Sequence, residues 1–284
     1  MGWEELTKKQ ESFAQPNWVT EKNFETIVVY GKPKVGKTQA YMSLIGEESK
    51  KDPEKKFFLI CTDNGASRTF KSYFGGDEKI LEKIKYYSVA NPDQAFNAVQ
   101  EIRATAKSKD WCIIDLASDV WEFAQDAFQD EMAKMFGGSV TGMFVQASKD
   151  PKLFGAFSGQ QWQWVKRLDN MVCRDFVANP ICNVLAVCAE KDISMEEALE
   201  ENAIKKGKLD MKSEELSLFE KIGARPAGQK QLSYLFNSVV YVSGVNQKFY
   251  TIVGDRGQLA VGQAKPFGTN FWKTFLENER GVKA

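Results

Sequence analysis

The chain has 284 residues, of which 43% are hydrophobic and 27% are charged, a composition typical of a globular protein that buries a core. Its 38 lysines and arginines balance its 38 aspartates and glutamates, so contact with nucleic acid would require a local basic patch rather than an overall positive field. Histidine is absent, which excludes histidine-based triads, histidine general bases and histidine zinc sites.

Cysteine usage and the apolar runs give an expectation about the compartment. The five cysteines form no C-x-x-C pair, and four of them lie in apolar runs, which predicts reduced, buried thiols. The first residues have no basic start followed by an apolar stretch, so no signal peptide is expected. No run approaches the roughly 18 apolar residues of a membrane-spanning helix. We therefore expect a soluble, cytoplasmic protein without membrane contact.

The apolar runs alternate between patterns typical of strands and of helices. A β-branched run at 26–30 predicts a buried strand, followed by a glycine-rich turn and a helix that Gly46 is expected to end. A second buried strand is predicted at 57–61 and a weaker one at 83–89. A helix with an apolar face is expected to begin near residue 91.

The second half of the chain continues this alternation. A strand at 111–115 leads into a helix through about Met135 and then into a long loop of glycines and serines, residues 137–160. The elements after it are an amphipathic helix, a strand, a charged stretch without a strand signal and a closing β-hairpin, at 161–177, 182–188, 190–229 and 237–255. This order predicts an α/β fold, with a mostly parallel sheet and helices on both faces.

The turn after the first strand matches a phosphate-binding motif. It reads Gly31-Lys32-Pro33-Lys34-Val35-Gly36-Lys37-Thr38, which fits G-x-x-x-x-G-K-[ST] and lies between a predicted strand and a predicted helix. Glycines allow consecutive N–H groups to point at phosphate oxygens, and the helix N-terminus adds its positive dipole end. Lys37 is expected to reach the β- and γ-phosphates, Thr38 to ligate Mg²⁺ and Gln39 to complete the binding segment. The alternative is a glycine turn with surface lysines.

Two aspartates end predicted buried strands. Asp115 closes the run WCIID and matches a Walker B aspartate, which holds Mg²⁺. Residue 116 is leucine, so the catalytic glutamate that follows this aspartate in several ATPase classes is absent. Asp63 is the expected general base, because ligands bind at the carboxyl edge of a parallel sheet; its alternative role is to form a turn. Asp119 is a rival base, although its spacing favours the first turn of the next helix.

The phosphate loop after the first strand, the acidic residue after the second and the strand that ends in Asp115 follow one another in an order that resembles the RecA-like branch of P-loop ATPases. The closest likeness is to the small phage and prokaryotic members that act in recombination and single-strand annealing. Their Walker B strand reads like I-D-S-x-x-x-x-W, and the corresponding residues here are Ile114-Asp115-Leu116-Ala117-Ser118-Asp119-Val120-Trp121. The resemblance covers roughly residues 24–256. It implies a RecA-like domain at 23–256 that ends in a β-hairpin, preceded by a helical extension (1–22) and followed by a C-terminal tail (257–284).

The resemblance also implies where the chain senses phosphate. The fifth strand would lie between the P-loop strand and the Walker B strand, and its tip would carry a γ-phosphate sensor. Glu190 stands there, in place of the usual amide or hydroxyl. Arg225 or Lys230 is a candidate finger that reaches a neighbouring subunit's γ-phosphate.

Two loops would grip DNA in a RecA-like protein, and they correspond here to 137–160 and to part of 190–229. The first carries Phe144, Phe154 and Phe157 among glycines and lysines, a composition suited to stacking on single-stranded DNA. An ordered surface loop with buried aromatic side chains is the alternative. The second loop has balanced charges, which are also typical of a solvated surface.

The expected function is that of a Mg²⁺-dependent ATPase that works on single-stranded DNA as a homo-oligomer, either a ring or a filament. The alternative is a partition- or loader-type ATPase switch that acts on a protein partner. Lys32 occupies the place of the signature lysine of partition ATPases, but Pro33 and Lys34 replace two glycines of that loop, and a solvated lysine is the other interpretation. A small-molecule phosphotransferase is a third class, and it would need an arginine-rich lid that does not stand out.

Overall fold

The computed structural model describes most of the chain between residues 24 and 279. The described ranges are 24–63, 65–136, 159–193, 214–229, 231–256 and 259–279, with a few single positions between 138 and 149. The predicted N-terminal extension, Phe144, Phe154, Phe157 and Lys230 lie outside them.

A mostly parallel sheet lies at the centre of the described fold. Its strands in chain order are β1 Thr26–Gly31, β2 Phe57–Cys61, β3 Ile84–Ser88, β4 Trp111–Asp115, β5 Asn183–Asp192, β6 Ala224–Pro226, β7 Ser238–Ser243, β8 Lys248–Asp255 and β9 Ala264–Phe267. They are ordered β3-β2-β4-β5-β1-β7-β8-β9, and β6 pairs with β5. The strands from β3 to β7 in that order run parallel, whereas β8, β9 and β6 pair antiparallel. The predicted α/β class is confirmed, and the predicted hairpin forms as β7 and β8, but it does not close the fold, because β9 pairs beyond β8.

The strand order brings three strand ends to one edge of the sheet. Strand β5 lies between β1 and β4, as expected, with Gly31 opposite Ala189 and Asp115 opposite Val187. The residues that follow β1, β4 and β5 therefore share the carboxyl edge, which is where parallel α/β sheets bind ligands.

Helices cover both faces of this sheet. They are α1 Lys37–Lys51, α2 Gly65–Phe74, α3 Glu78–Leu81, α4 Pro92–Thr105, α5 Ala117–Phe136, α6 Gly159–Val172, α7 Arg174–Ala178, α8 Glu214–Ile222 and α9 Phe271–Glu279. Alternate residues of β1 point to opposite faces. Val28 packs in the cluster that includes Val99 of α4, whereas Val29 packs in the cluster that includes Leu44 of α1. The predicted placement of helices on both faces is confirmed.

All five cysteines are buried and unpaired, as the sequence predicted. Burial raises the pKa of the Cys61, Cys112 and Cys173 thiols. The thiols are therefore protonated at neutral pH and behave as small apolar side chains.

Helix α1 is longer than the sequence predicted. It continues through Gly46 to Lys51 and ends just before Pro53, which cannot extend a helix. The ring of Phe74 lies over Gly46, 3.6 Å from the position that a Cβ would take. The expectation that Gly46 ends the helix is wrong, because packing outweighs the cost of one helical glycine, about 1 kcal/mol.

The charged stretch 190–229 contains strands, contrary to the sequence prediction. Strand β5 extends to Asp192, and the three residues of β6 pair with it, Lys191 opposite Arg225. Phe219 of α8, which precedes β6, is buried against the ring of Tyr30. A strand as short as Ala224–Pro226 has no apolar periodicity to reveal it, and its pairing with β5 depends on the fold.

The predicted C-terminal tail contains two elements that pack on the domain. Strand β9 pairs with β8, and helix α9 lies on α1. The backbone N–H of Trp272 donates to Ser43 Oγ at 2.9 Å, and its indole Nε1–H donates to Glu48 Oε1 at 3.2 Å. The indole also packs edge-on against Trp111 of β4, with ring centroids 5.3 Å apart. Residues 259–279 therefore hold the helix that begins at the phosphate loop.

We predict that Trp272→Ala lowers the free energy of unfolding by about 3–5 kcal/mol, the usual cost of truncating a large buried aromatic side chain. Urea denaturation monitored by circular dichroism measures this loss. Trp164→Ala is the matched control, because Trp164 is 40% exposed and its removal should cost much less. Equal losses in the two variants would contradict a structural role for the C-terminal segment.

Candidate functional site

The phosphate loop has the backbone geometry of an anion-binding turn. The φ angles are 155° at Gly31, 67° at Lys34 and 109° at Gly36, and Lys34 is the one non-glycine with positive φ in the described part of the chain. A Cβ added to Gly31 would lie 2.2 Å from the carbonyl oxygen of Val242, so a larger residue does not fit there. Residues of positive φ that follow residues of negative φ, as at Lys34 and Gly36, turn successive N–H groups toward a common centre.

Helix α1 begins without a side-chain cap. Gly36 occupies the N-cap position, so no side chain accepts the N–H groups of the first turn, and that turn contains no acidic residue. The first N–H groups of a helix lack intrahelical acceptors and carry the positive end of the dipole. This end of α1 therefore favours an anion from outside the helix.

The side chain of Lys37 folds back over the loop. Its Nζ donates to the carbonyl oxygens of Gly31 and Lys32, at 2.7 Å each. Burial lowers the pKa of Lys37, while the charges of Asp115 and Glu190 raise it. The ammonium group thus lies near both carboxylates but is hydrogen-bonded to neutral carbonyls, an arrangement that an anionic phosphate can replace.

Asp115 at the end of β4 is a buried carboxylate, only 4% exposed. The hydroxyl of Tyr41, a fully buried residue of α1, donates to Asp115 Oδ2 at 2.8 Å. Burial raises the pKa of Asp115 to about 6, although the Tyr41 hydrogen bond lowers it. Sequence reasoning missed Tyr41. Its spacing of four from Lys37, which places both on one helix face, was the available signal.

The residues at this edge fit a magnesium–nucleotide complex. Within the described residues, no group of three or more acidic, cysteine or histidine side chains could hold a metal. Mg²⁺ bound with a nucleotide takes one or two protein ligands, while phosphates and waters complete its shell. The Thr38 hydroxyl, in the first turn of α1, and the Asp115 carboxylate are oxygen donors of the required kind. A bound cation would also offset the cost of burying the charge of Asp115.

Glu190 is the third residue from the end of β5, opposite Pro226 of β6, and β5 lies between the strand that precedes the phosphate loop and the strand that ends in Asp115. Its side chain is 9% exposed, and its Oε1 is 3.8 Å from the exposed amine of Lys32. Its Oε2 is buried and makes no hydrogen bond of normal geometry among the described residues, although the carboxylate lies close enough to the Tyr241 hydroxyl to raise the pKa of Tyr241. An unpaired buried carboxylate oxygen costs on the order of 1–3 kcal/mol or more. A donor from a ligand or from water would relieve that cost.

The other two acidic candidates already have partners. Asp63 is exposed, and its Oδ1 accepts the N–H of Gly65 at 2.9 Å, so the turn-forming role is observed. The charge of Asp63 also raises the pKa of Asp115, which places it near the site. Asp119 lies in the first turn of α5, as predicted, and accepts the hydroxyl of Thr62 at 2.6 Å. A catalytic role for Asp63 stays a prediction.

A polar network that the sequence did not reveal joins the strand ends. The N–H of Thr62 donates to the Asp115 carbonyl at 2.8 Å, and its hydroxyl accepts the N–H of Leu116 at 3.0 Å. The hydroxyl of Ser118 accepts the N–H of Ala189 at 3.3 Å. These bonds hold the ends of β2, β4 and β5 in fixed relative positions.

The remaining predicted residues of the loop differ in exposure. Lys32, Pro33 and Lys34 are exposed, whereas Val35 is buried beneath the loop. Gln39 is half-buried, and its side-chain amide donates to the carbonyl of Thr269 at 2.6 Å.

No protein-family model matches this chain, and no curated protein is similar to it. In the described part of the chain, none of the helices has the length and apolar character needed to cross a membrane.

The buried charge of Asp115 leads to a prediction about pH. The pKa of Asp115 is about 6 in the folded state, against an ordinary value of 3.8. At a pH between these two values, the folded state keeps a proton that the unfolded state has lost. Stability therefore falls as pH rises through this window, and the ionised carboxylate destabilises the fold at neutral pH. We expect Asp115→Asn to increase the free energy of unfolding at about pH 8 by up to roughly 2–3 kcal/mol, and so to raise the melting temperature. Near pH 4 the substitution should have little effect.

Thermal denaturation without nucleotide or Mg²⁺ checks this. Asp110→Asn is the control, because buried Asp110 accepts the N–H groups of Lys56 and Lys107 at 3.0 and 2.8 Å and should lose stability on amidation. A melting temperature of Asp115→Asn equal to wild type at pH 8 would contradict the inferred cost.

Proposed function

We propose that this chain is a Mg²⁺-dependent ATPase with a RecA-like P-loop core, acting as an oligomer on DNA. The observation that carries the proposal is the convergence of Lys37 and Asp115 at one sheet edge, close enough for each charge to alter the pKa of the other. The position of β5 between β1 and β4 supports the RecA-like assignment, because that arrangement was expected from the resemblance.

Each residue of the site has a part in binding the nucleotide. The loop N–H groups and the start of α1 bind the phosphates, while Lys37 moves from the loop carbonyls to the γ-phosphate. Thr38 and Asp115 would hold Mg²⁺, and the bound ion would neutralise phosphate charge. Tyr41 orients Asp115 through its hydrogen bond.

Hydrolysis requires a group that accepts a proton from the attacking water. The water oxygen bonds to the γ-phosphorus, the bond to the β–γ bridging oxygen breaks, and ADP and phosphate leave. Asp63 is the proposed base because of its position at the end of β2. Glu190 lies close enough to Lys37 for its charge to raise the pKa of Lys37, and one of its oxygens is buried without a hydrogen bond, so it is the proposed γ-phosphate sensor.

The DNA-binding part of the proposal rests on the resemblance and on the composition of 137–160. The same site also suits an ATPase switch with a protein partner. Stimulation of ATP hydrolysis by DNA distinguishes these two functions.

The decisive experiment measures ATP hydrolysis by wild type with and without single-stranded DNA, at low and high salt. We expect DNA to increase the rate. We also expect salt to weaken DNA binding, because lysines that contact phosphates displace counterions from the DNA, and this release is less favourable at high salt. Lys37→Ala should abolish hydrolysis in both conditions, since each charge-assisted phosphate contact is worth about 1.5–3 kcal/mol.

Lys50→Ala, at the exposed end of α1, is the matched control and should hydrolyse ATP like wild type. Normal turnover by folded Lys37→Ala would refute the active site. Turnover that depends on Lys37 but ignores DNA would favour the protein-partner switch.

Three amide variants identify the base. Asp63→Asn should bind ATP normally while single-turnover hydrolysis falls by about 100-fold or more, because an amide cannot accept the proton. Asp119→Asn should have a smaller effect, since its carboxylate is bonded to Thr62. If Glu190→Gln or Asp119→Asn loses hydrolysis and Asp63→Asn does not, Asp63 is not the base.

A further inference from the structure

A second lysine lies against the phosphate loop, on a strand distant in sequence. Lys248 is the first residue of β8, and its side chain reaches the start of α1. A Cβ added to Gly36 would lie 3.2 Å from Lys248 Cδ and 3.3 Å from its Nζ. The end of the Lys248 side chain therefore lies over the residue at which the loop becomes a helix.

Hydrogen bonds hold the amine of Lys248 in this place. Its Nζ donates to Gln39 Oε1, in the first turn of α1. The amide of Gln39 in turn donates to the carbonyls of Thr269 and Gly268, at 2.6 and 3.3 Å. This sequence of bonds runs from the C-terminal segment to the phosphate loop and sets the position of the charge.

The positive charge of Lys248 lies beside the N-terminal end of α1, where a cation is unfavourable. Cations stabilise the C-terminal end of a helix, whereas the N-terminal end carries a partial positive charge and favours anions. Among the described residues, no carboxylate forms an ion pair with Lys248, and the first turn of α1 has no acidic residue. Lys248 and the helix end repel each other unless an anion lies between them.

We propose that Lys248 is a second phosphate-binding cation of the nucleotide site, acting within its own chain. This inference rests on the proposed function. The N–H groups at the start of the helix cradle the α- and β-phosphates, while the loop lysine reaches the β- and γ-phosphates. Lys248 lies over that start, at Gly36 and Gln39, and so contacts a phosphate that ADP retains after hydrolysis. Lys248 therefore contributes to the affinity for both ATP and ADP, whereas Lys37 favours ATP.

The test compares two variants by isothermal titration calorimetry with ATP and with ADP, each with Mg²⁺. Lys248→Met keeps the unbranched stem against Gly36 and removes the charge, and we expect Kd to rise by about 10- to 100-fold for both nucleotides. Lys248→Arg keeps the charge and should stay within about threefold of wild type. Lys273→Met is the matched control, because Lys273 is an exposed lysine of α9, and it should bind like wild type.

The outcomes separate this inference from the function on which it rests. If wild type binds neither nucleotide, the proposed function fails and the role of Lys248 fails with it. If wild type binds both and Lys248→Met binds them equally well, only the role of Lys248 is overturned. Equal losses in Lys248→Met and Lys248→Arg, with lowered melting temperatures, would also overturn it, because they would indicate a structural tie between β8 and α1.

Discussion

Burial of the central strands on both faces is the constraint on which the rest of the structure depends. Every residue of β1 is buried, and its alternate side chains belong to two different clusters beneath opposite helix layers. A strand covered in this way must lie inside the sheet, where β5 and β7 satisfy its backbone. Its carboxyl end then meets those of β4 and β5 at one edge. The phosphate loop, Asp115 and Glu190 are brought together by this packing rather than by direct attraction.

The edge formed in this way combines positive and negative charges that are only partly paired with one another. The side chains of Lys37 and Lys248 lie at the start of α1, while Asp115 ends β4 and Glu190 lies near the end of β5. Asp115 is deprived of water and keeps one donor, Tyr41, and Glu190 has a buried oxygen that makes no hydrogen bond of normal geometry among the described residues. Such an edge reduces the stability of the protein by itself. Phosphates and a divalent cation would satisfy both sets of charges, which is the physical basis of the proposed function.

The C-terminal segment links the stability of the core to the geometry of this edge. Trp272 packs on β4 and hydrogen-bonds to α1, while the carbonyl of Thr269 orients Gln39 and, through it, Lys248. Helix α1 is therefore fixed by a helix that packs beside it, as well as by the phosphate loop. Thr269, more than 200 residues after Gln39, thus helps to place the first turn of α1.

The sequence by itself determined the features whose cause is local. A β-branched run, a glycine-rich turn and a helix specify the phosphate loop within a few consecutive residues, and an apolar run ending in Asp115 specifies a strand tip. Only the tertiary structure decided which distant residues join them. Tyr41 belongs to the site because α1 packs over β1 and β5, which brings its hydroxyl to Asp115, and Thr62 because β2 pairs with β4. Lys248 belongs to it because the hairpin lies beside β1. Gly46 continues a helix because packing on Phe74 outweighs its propensity. Local patterns encode which residues form strands and helices, but strand order and burial, which place side chains across the sheet, depend on the whole chain.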